Sequence, residues 1–285
     1  MFNSPAWQKI LKKVYGIHAE ERHGILMFRT HRGLEMNIVG DYIGKTNQNQ
    51  TLPTNTCTIR LDYNPNHPDF QAAFETYRLA TTQTFEELLK NSIHQKTRNM
   101  INKASKQNLQ TRMEHSADAL NDYYPIYVRT MLRIGAIPHS KKLFREVLAN
   151  LDAKIFLTSH KSSSHKDKTL AGILTLYDPK NHRLHIWSNG QSKAARPLSA
   201  NMACYAAVLQ HACENPRIDE VDFGNTEPNS SLAFFKSRFG AKQIPVWTNA
   251  KTNSQASSKL PAKILSLLSV PCVSMASTLL FRYVR

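Results

Sequence analysis

The segment Ile218 to Trp247, IDEVDFGNTEPNSSLAFFKSRFGAKQIPVW, joins a buried strand, a polar turn and a short aromatic and basic helix. Ile218, Val221 and Phe223 set the strand, which Gly224 breaks. Asn225-Thr226-Glu227-Pro228-Asn229-Ser230 supply turn and cap residues, and Leu232 to Phe239 then take helical spacing as far as Gly240. A strand that ends in a polar turn before a helix is a common seat for a ligand. The first helical N–H groups have no intrahelical partner and attract anions.

Upstream of this segment, Met202, Tyr205, Ala206, Leu209 and Cys213 mark a helix. Before it, Lys154 to Ser159, Thr169 to Tyr177 and Arg183 to Ser188 alternate as three strands of a meander, with the polar run HKSSSHKDK between the first two. Asp118 to Arg133 and His139 to Leu151 are two helices divided by Gly135-Ala136-Ile137-Pro138. Phe85, Leu88, Leu89, Ile93, Met100 and Ala104 trace the apolar stripe of one long helix, whose other surface carries Lys90, Lys96, Arg98, Lys103 and Lys106. That basic surface is either a solvated face or one turned toward an anion. Closer to the N-terminus, Thr56 to Tyr63 predicts a strand, Asp41 to Asn55 a polar loop, and Gly24 to Val39 a hairpin about Arg32-Gly33. Pro5 to Tyr15 is an amphipathic helix with Ser4 as its cap.

The DFG of Asp222 to Gly224, the FFKSRFGAK of Phe234 to Lys242 and a following strand ending in Trp247 resemble the C-terminal signature of the FemABX-like transferases, double-domain relatives of the GNAT acetyltransferases. KTRNMINKASKQNL (Lys96 to Leu109), YYPIYVRTMLRIGAIPHSKKLFREVL (Tyr123 to Leu148) and AGILTLYDPKNHRLHIWSNG (Ala171 to Gly190) extend the resemblance backwards, so that it covers about residues 85 to 247. Phe2 to Gly16 is similar to the family's opening, whereas Glu21 to Phe70 is short and matches poorly. The resemblance implies an α+β protein with a mixed sheet and a GNAT-like fold. It implies a reduced N-terminal lobe with the basic helix over residues 1–110, a complete C-terminal transferase lobe over 111–250, and a linker with an apolar, basic tail over 251–285.

At 285 residues the chain is long enough for one large core or two smaller ones, and 41% apolar with 20% charged residues is ordinary for a globular protein. A net charge of +16 is not ordinary. It points to a polyanionic partner, set against the plainer reading of a basic surface that serves only solubility. Cys57, Cys204, Cys213 and Cys272 show neither a C-x-x-C pair nor histidines at ligand spacing, which argues against a zinc site or a disulfide framework. No metal and no bound cofactor are expected. The opening MFNSPAWQKILKKVYG lacks the apolar stretch of a secretory signal, so the expected location is the cytoplasm.

An acetyl-CoA-dependent GNAT enzyme holds the CoA pyrophosphate on the backbone N–H groups of a glycine-rich turn. The corresponding stretch, SNGQSKAARPLSANM (Ser188 to Met202), has a single glycine, Gly190, and a proline, Pro197. That departure favours the FemABX-like branch, which the resemblance describes as moving an aminoacyl group from aminoacyl-tRNA to an amine on a peptidoglycan precursor. Donor and acceptor would both be polyanions, which suits the charge. By the same resemblance Lys236, in the pair Phe235-Lys236, stabilises the oxyanion of the tetrahedral intermediate; otherwise its stem only covers apolar surface. Asp222 receives the amine proton or orients the amine, or else caps the next helix. Trp187 lines the acceptor channel, or is a buried strand aromatic. Arg129, Arg133, Lys141, Lys142 and Arg145 surround Ile137-Pro138 and are either a phosphate grip or a solvated basic surface. His139, His160, His165, His182 and His185 show no triad spacing and receive no role.

After the Ser- and Asn-rich stretch Lys251 to Lys259, residues Ile264 to Phe281 carry no charge. Two short helices about Pro271 are expected, lying on the first lobe or at a membrane surface, where Lys259, Lys263, Arg282 and Arg285 would meet anionic head groups. Three functions follow from these readings. The first is a FemABX-like acyl- or aminoacyltransferase acting on a nucleotide- or lipid-pyrophosphate precursor of the cell envelope, with tRNA as a partner. The second is a GNAT-like N-acyltransferase using acyl-CoA or acyl carrier protein, and the third a catalytically inert nucleic-acid-binding protein.

Overall fold

The computed structural model describes residues 4–22, 25–29, 60–61, 64, 66, 68, 70–161, 168–248 and 263–283. Helix α1 (Pro5–Tyr15) begins as its sequence predicts: Ser4 accepts the N–H of Trp7, proline occupies the first turn, and Gly16 ends the helix at φ +68°. Two short strands follow, β1 (His18–Arg22) and β2 (Ile25–Arg29), paired antiparallel. The hairpin expected over Gly24 to Val39 is thus described only in its first arm, and that arm pairs with the strand before it. Its second arm, the loop from Asp41 and most of the strand from Thr56 lie outside the described residues.

The main sheet has eight strands in the order β3-β10-β4-β9-β8-β7-β6-β5. In chain order these are β3 (Arg60–Leu61), β4 (Gln71–Ala80), β5 (Leu109–Glu114), β6 (Ala153–His160), β7 (Ala171–Asp178), β8 (Arg183–Gln191), β9 (Glu220–Thr226) and β10 (Lys242–Thr248). All neighbours pair antiparallel except β8 and β9. The meander and the strand from Ile218 appear where periodicity puts them. β4 and β5 were not anticipated. β4, from the first third of the chain, pairs between β9 and β10, far downstream in sequence.

Two apolar clusters pack against this sheet. One collects α1, α4 (Ala117–Arg133), α5 (Lys141–Asn150) and alternate residues of β6 and β7, including Ile155, Leu157, Leu174 and Leu176. The other collects α3 (Gln95–Ser105), α6 (Ala200–Glu214), Ala233 of α7 (Ser231–Ser237) with Phe239 just beyond it, and Tyr77, Leu79, Leu184, Ile186, Val221 and Phe223. Helix α4 lies tightly on β7 and β8 because two glycines make room for it. A Cβ on Gly172 would come within 2.7 Å of the Tyr123 ring, and one on Gly190 within 2.7 Å of the Tyr127 backbone nitrogen.

The long helix expected from Phe85 to Ala104 is three pieces. α2 (Phe85–Glu87), capped reciprocally by Thr84 and Glu87, widens into a π-helical turn (Leu88–Ser92) and stops at Ile93, which is extended. Gly240 packs so closely on this turn that a Cβ would sit 2.3 Å from the Ser92 carbonyl oxygen, and the His94 N–H donates to Arg238 O. The Arg98 guanidinium caps the freed carbonyls of Leu89 and Lys90. Tertiary contact with the end of α7 therefore overrides the helical periodicity, and Met100, assigned to the buried stripe, is exposed. The tail forms a helical turn at 263–265 and a helix α8 (Val270–Tyr283) with Pro271 in its first turn. Leu265, Val273 and Phe281 join the cluster of α1, α4 and α5, so one face of the tail packs on the core.

Candidate active site

The site grows from a bulge in β9. Strand β9 runs parallel to β8 through Arg183–Glu220, Leu184–Val221 and His185–Asp222, after which β8 continues to Gln191 without further pairing to β9. On its other edge β9 pairs with β4, and the register shifts where Arg78 opposes Asp222 and Thr76 opposes Asn225. Phe223 and Gly224 thus stand against Tyr77 alone. Gly224 takes φ +75°, which a glycine tolerates without strain; space is not the constraint, since a Cβ would meet nothing nearer than Ile186 O at 3.7 Å.

Asp222 holds this bulge in shape. One carboxylate oxygen accepts the Gly224 N–H at 2.7 Å and the Thr76 hydroxyl at 2.8 Å, and the other accepts Arg78 Nε at 3.0 Å. Asp222, Arg78 and Thr76 are all buried, and His185 faces Asp222 across the parallel pair. Burial would raise the Asp222 carboxyl, but the charges of His185 and Arg78 and the hydrogen bonds bring it below its ordinary value. His185 is pushed down to about 4, chiefly by burial, against the pull of Asp222. A low-lying carboxyl with these partners is a poor proton acceptor. Its hydrogen bonds make Asp222 a brace of the bulge, and it does not cap α7: Ser230 does, accepting the N–H of Ala233.

The bulge turns two carbonyls toward α7. Lys236 Nζ donates to Gly224 O at 2.6 Å and to Asn225 O at 3.2 Å, with 4% of the residue exposed. An ammonium has three N–H donors, so one is left over among the described residues. Burial pushes Lys236 down to about 8, partly offset by the charges of Asp222 and Glu75. Glu75 is buried too, accepting the Tyr77 hydroxyl at 2.6 Å and the Gln243 amide. The helix carrying Lys236 is anchored at its start by the Ser230 cap and by the Thr226–Ser230 hydroxyl pair at 3.1 Å.

Phe235 and Trp187 do not join this constellation. The Phe235 ring packs on Tyr205 and Phe239 at centroid distances of 5.4 Å and 5.2 Å, so its role is to seat α7 on α6. Trp187 packs among Phe144, Trp7 and His139, at 5.0, 5.9 and 5.9 Å, in the cluster of α1, α4 and α5. Of the basic set, Lys141 reaches Asn121 and Lys142 reaches Lys13 O, while Arg129, Arg133 and Arg145 are exposed. All five sit in the α4 and α5 layer, whereas α7 packs on the other cluster. Sequence reading missed Glu75, Thr76 and Arg78, and gave His185 no role on a strand it did predict. The Phe-, Thr- and Tyr-containing run FETYRLA, closed by the polar Thr81 to Thr84, was the signal for the strand of the first three.

Gly190 is committed to helix packing, and residues 193–195 form a 3₁₀ turn leading to Ser199 at φ +55°. The 188–202 stretch therefore holds no glycine-rich loop. Among the described residues no group of His, Cys, Asp and Glu is arranged to hold a metal ion.

Comparison with known proteins agrees with this architecture. FemX superposes with a TM-score of 0.66 at 14% identity, covering 94% of each chain. The C-terminal domain (DUF2156) of a protein assigned as a lysylphosphatidylglycerol synthetase, from Agrobacterium fabrum, superposes with a TM-score of 0.57 at 13% identity, over 94% of this chain and 93% of that one. A Bacteroides thetaiotaomicron protein of unknown function gives 0.53 at 11% identity, over 85% and 88%. These likenesses establish the FemX-type GNAT fold. No curated protein matches the sequence. The model of the acetyltransferase (GNAT) domain matches residues 91–235, half of the chain, and the chain belongs to that family.

Proposed function

We propose that this protein joins an acyl group, and specifically an aminoacyl group carried by tRNA, to an amine on a cell-envelope precursor. The observation that carries the reading is Lys236: a buried ammonium fixed by two carbonyls of the β9 bulge, with a third N–H unspent and a pKa brought to about 8. When an amine attacks an ester carbonyl, a C–N bond forms and the carbonyl oxygen becomes an oxyanion. A fixed donor in a site shielded from water stabilises that charge without reorganising. Collapse breaks the C–O bond, and the proton lost by the nitrogen ends on the leaving ribose hydroxyl. The balance needs no net proton acceptor, which suits a site where the Asp222 carboxylate is already engaged by Arg78, Thr76 and the Gly224 N–H.

The tRNA donor is favoured over a CoA thioester by the missing glycine-rich loop and by a net charge of +16. The resemblance to FemABX-like transferases and the fold shared with a lysylphosphatidylglycerol synthetase domain support an aminoacyl donor. Membership of the acetyltransferase family favours a second reading, N-acylation from acyl-CoA or acyl carrier protein. A transfer assay offering labelled aminoacyl-tRNA, acyl-CoA and acyl carrier protein in parallel to a cell-envelope extract separates them. Label moved only from tRNA, and lost in Lys236→Ala, is the expected result. Label moved only from a thioester establishes the second reading, and none from any donor removes both.

A further inference from the structure

The outward face of the tail is apolar where a surface helix ordinarily carries charge. In α8, Val273, Ser277 and Phe281 point inward at helical spacing and are buried. The Tyr15 ring stacks on Phe281 at 5.3 Å, His139 at 4.7 Å, and Ser274 Oγ accepts the Lys141 backbone N–H at 2.9 Å. The tail is therefore docked. Its opposite side exposes Pro271, Cys272, Met275 and Leu279, and the turn before it exposes Ile264, Leu267 and Leu268. Leu267 is 85% and Met275 70% exposed. No charged residue interrupts the sequence from Ile264 to Phe281. An amphipathic helix already packed on its core places polar side chains outward, so a contiguous apolar face here marks a contact surface.

Two of the helices packed beside α8, α1 and α5, carry a basic excess. Lys263 begins the turn, Lys9 and Lys12 stand exposed on α1, and Arg145 on α5, the helix whose first residue bonds Ser274. Apolar side chains with exposed Lys and Arg on the adjoining helices suit acyl chains beneath anionic head groups. A second copy of this chain would bring +16 against +16, so charge disfavours self-association through this face. Among the described residues no helix is long and apolar enough to cross a membrane, so contact would be from one side. We propose that α8 and the preceding turn seat the protein on an anionic lipid surface, with Leu267, Leu268, Met275 and Leu279 entering the acyl boundary.

Cosedimentation of the whole chain with vesicles of phosphatidylcholine, with or without phosphatidylglycerol, tests this. The protein pellets with the phosphatidylglycerol vesicles and is released by salt. Met275→Glu with Leu279→Glu, both on an exposed face, lowers binding about tenfold or more at an unchanged melting temperature. Lys12→Glu with Arg145→Glu removes the preference for phosphatidylglycerol. Lys236→Ala leaves vesicle binding intact, which separates this proposal from the catalytic one. Absence of pelleting, or pelleting indifferent to the Glu pair, overturns it. A wild-type dimer in sedimentation velocity that the Glu pair dissolves also overturns it, by assigning the face to a second copy.

Discussion

Asp222 and Lys236 are both buried charges held by the same β9 bulge, yet they are held to different degrees. Asp222 has both oxygens occupied by Arg78, Thr76 and the Gly224 N–H. Lys236 has two donors occupied, by Gly224 O and Asn225 O, and one to spare. The carboxyl lies below its ordinary value and is locked in one state, whereas the ammonium is brought to about 8 and sits near a change of state. A buried carboxylate braced on both oxygens by the fold acts as scaffold, and a buried ammonium with a donor left over is available to a reactant.

The sharpest break between the two is stability against turnover. Asp222→Ala removes the buried acceptor of Arg78 Nε, the Thr76 hydroxyl and the Gly224 N–H together and should cost about 3–5 kcal/mol of stability in denaturant melts. Lys236→Ala should leave the fold cooperative while lowering the rate of transfer about 10²–10³-fold in single turnover. If the two variants exchange these signatures, the assignment of scaffold and reagent is reversed.

Acid acts on the scaffold side. The unfolded chain protonates His185 near its ordinary 6.5, while the folded protein holds it neutral down to about 4. Between those values the unfolded state binds more protons, so stability falls as pH falls, by about 3 kcal/mol across the window. His185→Gln should flatten that slope in melts at pH 4 to 7. Base acts on the reagent side. Lys236 loses its proton as pH rises through about 8, so the Lys236-dependent part of the rate should fall there, and Lys236→Arg should carry the alkaline limb upward. The smallest effect is expected at the bulge itself. Gly224→Ala meets no clash but adopts a left-handed backbone, for a cost of about 1 kcal/mol in melting experiments and a weakened hold on Lys236.

Much of this was legible in local pattern. Residues 117 to 247 announce their helices and strands because each has its own periodicity and caps, Ser140 and Ser230 among them. Lys236 was found through a resemblance, and Arg78 and Thr76, the partners of Asp222, were not, because 144 and 146 residues separate them from Asp222 and no local rule spans that distance. The π-helical turn at 88–92 was hidden for the same reason: it answers to Gly240. Phe235 and Trp187 drew attention through the resemblance, and the aromatic neighbours of their rings on α6, α5 and α1 are a packing fact invisible in one dimension.

The placement of β4 between β9 and β10 has a consequence for how the chain is made. Glu75 and Gln243, bonded in the finished sheet, are 168 residues apart, so at ordinary rates of synthesis β4 waits roughly 10–30 s on the ribosome for its last partner. During that interval its two edges are open, and the sheet is split into a meander that can close early and a centre that cannot. The strand that shapes the Lys236 site is therefore among the last to be locked in place, and this candidate site is completed only after most of the chain has been synthesised.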